Sequence, residues 1–216
     1  WKINKIICIS RKKIKKEFLL KRSLKTKIIS ISADIQRIKN LPKSDYFIYA
    51  VNSKNMNSNF KSINNFKKLI LKEPKEIKIL FTSSGAVYGK TKPGIKIKEN
   101  YRIQLKNLNA LKGYKKNYSK TKILKEKIFQ QLGKRKYNVS IARCFTFIGK
   151  HMLEKKDYAI SDFINKAVKN KKIIIKSKVN VYRSFMYSDD LVEWLLAILM
   201  KSTSKCPIYN VGSDEY

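Results

Sequence analysis

Glycine is scarce and unevenly spread in this 216-residue chain: there are seven, and none precedes Gly85. A Gly-rich turn able to cradle a pyrophosphate on backbone N–H groups is therefore excluded from residues 1–84. Cysteine is scarcer still. Cys8, Cys144 and Cys206 are odd in number, far apart and in no CxxC pair, which argues against a disulfide framework or a zinc site and fits a reducing, cytoplasmic compartment. The single histidine, His151, reads as an exposed loop residue rather than a base or metal ligand. No apolar run approaches the ~20 residues of a membrane span, since even LVEWLLAILM carries Glu193, and the Lys-rich start lacks a signal-peptide apolar stretch. Neither a metal nor a membrane partner is expected.

Acidic residues are few as well: 15 against 50 Lys and Arg, a formal charge of +35. That balance alone suggests a nucleic-acid or membrane-surface partner. Arg, however, is a small minority of those cations, and the Lys residues are scattered among Ile and Asn with no tail or stripe. Readers of nucleic acid favour Arg for base edges and interleave aromatics for stacking. The even spread reads as solvated Lys faces, and no nucleic-acid partner is expected.

What is present is a strand and helix alternation. KIICIS, KIISIS, YFIYAV, IKILFTSS and NVSIARCF have the β-branched, nearly continuous apolar character of strands covered on both faces. Between them, a helix is expected over 59–72, and another over YSKTKILKEKIFQQL, with Ile123, Leu124, Ile128 and Leu132 along one face and Gly133 stopping it. The expected class is α/β, a doubly wound, Rossmann-like parallel sheet with right-handed crossovers. After Gly149 the pattern changes to a helix through Ile160–Val168, a short strand KIIIK, and a strand leading to a buried helix capped by Ser188 or Asp189. The expected division is residues 1–146 as a dinucleotide-binding domain and 147–216 as part of a smaller substrate-binding region. Residue 1 is Trp and no Gly-rich turn precedes Gly85, so the domain's first strand, turn and helix are expected to be missing or lost.

YxxxK occurs twice, at Tyr88/Lys92 and Tyr118/Lys122, and about two matches are expected by chance in a chain so rich in both residues. Context separates them. Tyr118 and Lys122 lie one turn apart on one helix face, after a strand ending in FTSSGAVYG. The ordered blocks FTSSGAVYGK, YSKTK, IARCFTFIG, YRSFMYSDDLV and IYNVGSDE resemble the extended short-chain dehydrogenase/reductase family of NAD-dependent epimerases and dehydratases, from about residue 5 to the last residue.

The resemblance implies an enzyme using NAD or NADP on a nucleotide sugar. It assigns Ser84 to the catalytic Ser/Thr position, Tyr118 to the acid/base and Lys122 to the lysine that binds ribose and activates the tyrosine. The residue types suit that chemistry: a phenol of pKa ~10 must fall by about 3 to act as a base near neutrality, at about 4 kcal/mol, and nearby positive charge can supply it. Ser84 would hold the same substrate oxygen. For the cofactor, the resemblance implies Asp34 at the adenine amino group with Ile35 beside it, Ala50 lining the channel, and Ser83, Tyr118 and Lys122. Arg11, at the end of KIICIS, stands where a carboxylate selects NAD and a cation accommodates the NADP phosphate, which tilts towards NADP. Substrate contacts are implied for Ser84, for Thr146, where many members carry Asn, and for Arg183, a guanidinium suited to a diphosphate.

Departures from the family narrow the reaction. Dehydratases carry an Asp-Glu pair after the catalytic Thr, and uronate decarboxylases carry a Glu just before the VYG; here those positions are Gly85 and Ala86. Lys150 stands where many members have Pro. An epimerase or 4-keto reductase is chemically preferred to a dehydratase, with a homodimer paired through two helices as the family's usual assembly. The competing readings are a non-catalytic or fragmentary Rossmann-like module, supported by the missing Gly-rich turn, and a basic nucleic-acid binder.

Overall fold

The structure, a computed structural model, describes residues 3–14, 26–92, 94–149, 159–175, 177–178 and 180–213. Strands β1 (Lys5–Ser10), β2 (Lys27–Ser32) and β3 (Tyr46–Tyr49) lead to α1 (Met56–Ile70) and β4 (Lys78–Ser84), which runs into a single 3-10 turn at Gly85–Tyr88. Helices α2 (Leu105–Asn109) and α3 (Gly113–Lys134) precede β5 (Asn138–Cys144) and β6 (Thr146–Ile148); α4 (Ala159–Val168), β7 (Phe185–Tyr187), α5 (Ser188–Met200) and β8 (Ile208–Val211) complete the order. Every ladder between these strands is parallel: β3-β4-β5-β8 form the larger sheet, and β1-β2 and β6-β7 form two pairs. This is the expected α/β, Rossmann-like arrangement. Among the described strands β1 bonds only β2 and β3 bonds only β4, so each keeps one open edge.

Strand alternation divides the core into two layers. On one face of the larger sheet Ile79 and Phe81 of β4 and Val139 and Ile141 of β5 pack with Ile63, Phe66 and Ile70 of α1 and Phe129 and Leu132 of α3. On the other, Leu80 and Ala142 meet Leu191, Ile198 and Leu199 of α5. Thus α5 and β8, from the second of the two expected segments, cover and extend the larger sheet. Among the described residues no helix is long and apolar enough to cross a membrane.

Several local expectations change. Asn55 caps α1 by accepting from the Ser58 N–H at 3.0 Å, so that helix starts at Met56 rather than Asn59. Helix α3 passes through Gly133 to Lys134, because a Cβ there would lie 2.8 Å from the Ser204 carbonyl oxygen; glycine permits a close approach rather than a stop. The inward face of α3 carries Lys122, Lys125, Glu126, Phe129 and Leu132, while Ile123, Leu124 and Ile128 are half-buried. KIIIK forms no strand over Lys172–Ile175, and Ile173, Ile174 and Ile175 are exposed; no described strand offers them a ladder partner. Helix α5 begins at Ser188, with Tyr187 as N-cap and no capping side chain; Asp189 and Asp190 instead place negative charge in its first turn. Lys150 and His151 lie outside the described residues.

Candidate active site

Parallel strands bring their carboxyl ends to one edge of a sheet, where α/β proteins collect ligand-binding groups. Arg11 follows β1, Asp34 follows β2, Ala50 follows β3, Ser84 ends β4 and Thr146 opens β6 just beyond β5. Ser84 is in register with Cys144 on β5. Helix α3 packs against the turn that follows Ser84, which brings Tyr118 and Lys122 to this end of the sheet.

The Lys122 side chain is almost fully buried, and its Nζ donates to the Thr82 carbonyl at 2.7 Å, two residues before Ser84. The same Nζ lies 5.6 Å from the centre of the Tyr118 ring and 5.2 Å from that of Phe81. Burial lowers its pKa to about 8, opposed by the Cys144 and Glu126 side chains, so the charged ammonium still predominates at neutral pH. Tyr118 is half-buried and stacks at 5.9 Å on Tyr114. Ser84 caps the 3-10 turn by accepting from the Ala86 N–H at 3.2 Å, an arrangement that leaves its hydroxyl proton available to a ligand. Gly85 permits the turn to pass under Phe145, whose ring would lie 2.8 Å from a Cβ there.

A buried polar network underlies these groups, and sequence reasoning did not find it. Alternation aims Ser83 and Arg143 at the α3 side, with Phe81 and Ile141. Glu126 accepts from the Ser83 hydroxyl at 2.6 Å, from Arg143 Nε at 3.0 Å and from Arg143 Nη2 at 2.7 Å. Arg143 Nη1 donates to the Tyr88 hydroxyl at 2.8 Å, which donates in turn to Asn210 Oδ1 at 2.8 Å. Burial works to lower the Arg143 pKa and is outweighed by Glu126 and Tyr88, which hold the guanidinium charged. Tyr88 is thus committed to the network, and Lys92 of the other YxxxK match is exposed. The available signals were an Arg inside an apolar strand and a Glu one turn beyond Lys122.

The remaining candidates are more dispersed. Ser83 is buried on Glu126. The Asp34 carboxylate accepts from the Gln36 N–H at 3.0 Å and from Gln36 Nε2 at 3.3 Å, closing a turn. Ile35 packs on the core, and its carbonyl accepts from Asn65 Nδ2 at 2.8 Å. Arg11 and Ala50 are exposed, and the Arg11 carbonyl accepts from the Ser32 hydroxyl at 3.3 Å. Thr146 is half-buried. Arg183 is exposed, with Nη1 donating to the Tyr182 carbonyl at 2.9 Å. No cluster of three or more metal-ligating side chains occurs among the described residues.

The chain matches the NAD dependent epimerase/dehydratase family over residues 23–212. No curated protein matches it. Among solved structures it is similar to a dTDP-glucose 4,6-dehydratase from Bacillus anthracis in complex with NAD, at 12% identity and a TM-score of 0.70 over 92% of this chain and 62% of that one. It is similar also to a UDP-N-acetylglucosamine 4-epimerase from Methanobrevibacter ruminantium in complex with UDP-N-acetylmuramic acid, at 19% identity and a TM-score of 0.66 over 86% of this chain and 61% of that one. A third is RMD from Pseudomonas aeruginosa complexed with NADPH, at 17% identity and a TM-score of 0.66 over 93% and 72%. The chain thus spans about three fifths of the length of the first two.

Proposed function

Because the chain belongs to the NAD dependent epimerase/dehydratase family, we propose that it carries the catalytic centre of a nucleotide-sugar epimerase or 4-keto reductase that uses NAD or NADP. The observation that carries this reading is the position of Tyr118 and Lys122 on α3, the helix that packs on β4 and on the turn after Ser84, with Lys122 bonded to the Thr82 carbonyl. The dinucleotides and nucleotide sugars held by the similar structures support it.

A dinucleotide fits these residues in part. Ala50, exposed and small, would let it approach the end of β3, and Lys122 would meet its ribose. Its pyrophosphate has no glycine cradle before Gly85. The open edges of β1 and β3 support the reading that a further parallel strand, with a Gly-rich turn, belongs between them. Asp34, Ile35 and Arg11 would lie along the same cofactor, and Arg183 and Thr146 would hold the substrate diphosphate and sugar; in this division residues 1–146 serve mainly the cofactor and 147–216 the substrate. The half-buried Ile123 and Leu124 on α3 support pairing of two copies.

The bound nicotinamide would supply hydride acceptance and return. Tyr118 would take the proton from the sugar hydroxyl as its carbon is oxidised, with Lys122 favouring the phenolate and Ser84 donating to the same oxygen. To meet ribose, Lys122 would direct another of its three N–H groups to it while one stays on the Thr82 carbonyl. An elimination of water needs another acid and base beside the ring. Any side chain at position 85 would meet Phe145, and Ala86 is inert, so the reading favours epimerisation or ketone reduction over dehydration.

The test is to express the longest open reading frame containing this chain and titrate NAD and NADP by calorimetry, with turnover of nucleotide sugars measured for the parent and Tyr118→Phe. The expected results are dinucleotide binding and a loss of turnover of about 100-fold or more in Tyr118→Phe. Binding of neither dinucleotide would leave the non-catalytic relative as the correct reading.

A further inference from the structure

Two buried lysines of α3 hold two neighbouring strand ends. Lys122 Nζ donates to the Thr82 carbonyl of β4 at 2.7 Å, and one turn on, Lys125 Nζ donates to the Val51 carbonyl, just past β3, at 2.9 Å. Lys125 is fully buried and donates also to Asn59 Oδ1 at 2.8 Å. Asn59 in turn organises the segment before α1: its Oδ1 accepts from the Ser53 N–H at 3.0 Å, and its Nδ2 donates to the Ser53 carbonyl at 2.6 Å and the Asn55 carbonyl at 3.1 Å. One ammonium therefore ties α3, the end of β3 and the start of α1 at a single point.

We propose that Lys125 is a positioning residue that keeps α3 in register on the end of β3 and fixes the Val51–Asn55 segment. Its effect on dinucleotide binding rests on the function proposed above; the clamp does not. Lys122 and Glu126 already bind α3 to the end of β4, through the Thr82 carbonyl and the Ser83 hydroxyl. Lys125 makes the corresponding polar link to the end of β3. Burial and the charge of Lys122 lower the Lys125 pKa to about 7, so even the neutral amine, which still has two N–H groups, can satisfy both acceptors. The Tyr49 ring lies 5.6 Å from the same nitrogen and completes the enclosure on the β3 side.

Amide hydrogen exchange tests the clamp in this chain and its Lys125→Ala, Lys125→Met and Lys122→Ala variants. Lys125→Ala and Lys125→Met are expected to speed exchange over residues 53–59 by about tenfold, leaving the β4 and β5 amides unchanged, whereas Lys122→Ala leaves 53–59 as protected as in the parent. Propylamine, whose amine reaches the place vacated by Nζ, is expected to restore protection in Lys125→Ala and to have no effect on Lys125→Met, whose own side chain fills the space. Wild-type protection in Lys125→Met would show that the aliphatic stem suffices and would overturn the proposal, as would equal loosening by Lys122→Ala or a uniform rise across the sheet. In the longer protein, Lys125→Ala is expected to weaken dinucleotide binding by about fivefold or more. If the parent binds no dinucleotide, the proposed function fails while the clamp stands or falls on exchange alone.

Discussion

Strands β1 and β4 are built from the same kind of residue, yet they end in different environments. KIICIS in β1 has no fully buried position, and its neighbour KIISIS leaves Ile31 exposed; KILFTSS in β4 buries Ile79, Leu80 and Phe81 completely. The difference lies in what surrounds them. Strand β4 is bonded on both edges and covered by α1 and α3 on one face and α5 on the other, whereas among the described strands β1 has one bonded edge. An apolar strand is a necessary condition for a core and not a sufficient one. Burial belongs to the layer, and at about 25 cal/mol per Å² of apolar surface the layer decides where stability resides.

The largest expected effects fall in the four-stranded layer. Arg143→Met leaves the Glu126 carboxylate buried without its cation and is expected to cost ~3–5 kcal/mol in a urea melt, with the Ser83 hydroxyl still bound to it. Phe129→Ala removes a ring stacked at 4.6 Å on Phe81 and packed near Tyr49 and Phe66, and ~3–5 kcal/mol is expected there too. If either variant melts within about 1 kcal/mol of the parent, the layer is not the seat of stability and the contrast with β1 fails.

The same contrast explains what could be read from the residues alone. The strands and the Tyr118/Lys122 pair depend on short-range patterns, two-residue alternation and one helical turn, and both were legible. Glu126 and Arg143 meet from elements separated by a turn, and each is an ordinary charge until the sheet brings them together. Lys125 was invisible for another reason: in a chain with 50 cations, one more Lys beside Ile and Leu reads as a solvated face. Of the expected stripe Ile123, Leu124, Ile128 and Leu132, Leu132 is fully buried and Ile128 packs against the core, while Ile123 and Leu124 are half-buried on a helix that also turns Lys122 and Lys125 inward to meet strand-end carbonyls. Lys172–Ile175 of KIIIK form no strand and no described strand partners them, a property no window of sequence contains.

The next effect is expected from pH, again within the layer. The folded chain holds Lys122 and Lys125 to about 8 and about 7, mainly by burial, while unfolded lysine titrates near ~10.4. From about pH 7 to about pH 10 the unfolded chain therefore carries protons that the folded chain has released, and stability rises with pH across that range. Below about pH 7 both states are protonated, and the cost of burying charge is present in full. The measurement is a set of urea melts across that range for the parent and for Lys122→Met/Lys125→Met, in which the slope should flatten. A parent with no slope would mean that these lysines are solvated on the experimental timescale.

The smallest effect is reserved for β1. Ile7→Ala removes a half-buried side chain from a strand bonded on one edge, where the neighbours can close over part of the lost volume and water already reaches the rest. A cost of ~1 kcal/mol or less is expected, several times below that of Phe129→Ala. Hydrogen exchange should agree, with the β1 and β2 amides opening well before those of β4 and β5. The outcome that would break the comparison is a cost at Ile7 equal to that at Phe129, because β1-β2 and the larger sheet would then unfold as one cooperative unit despite their unequal burial. In that event the open edges of β1 and β3 would be bridged by side-chain packing strong enough to act in place of a strand ladder.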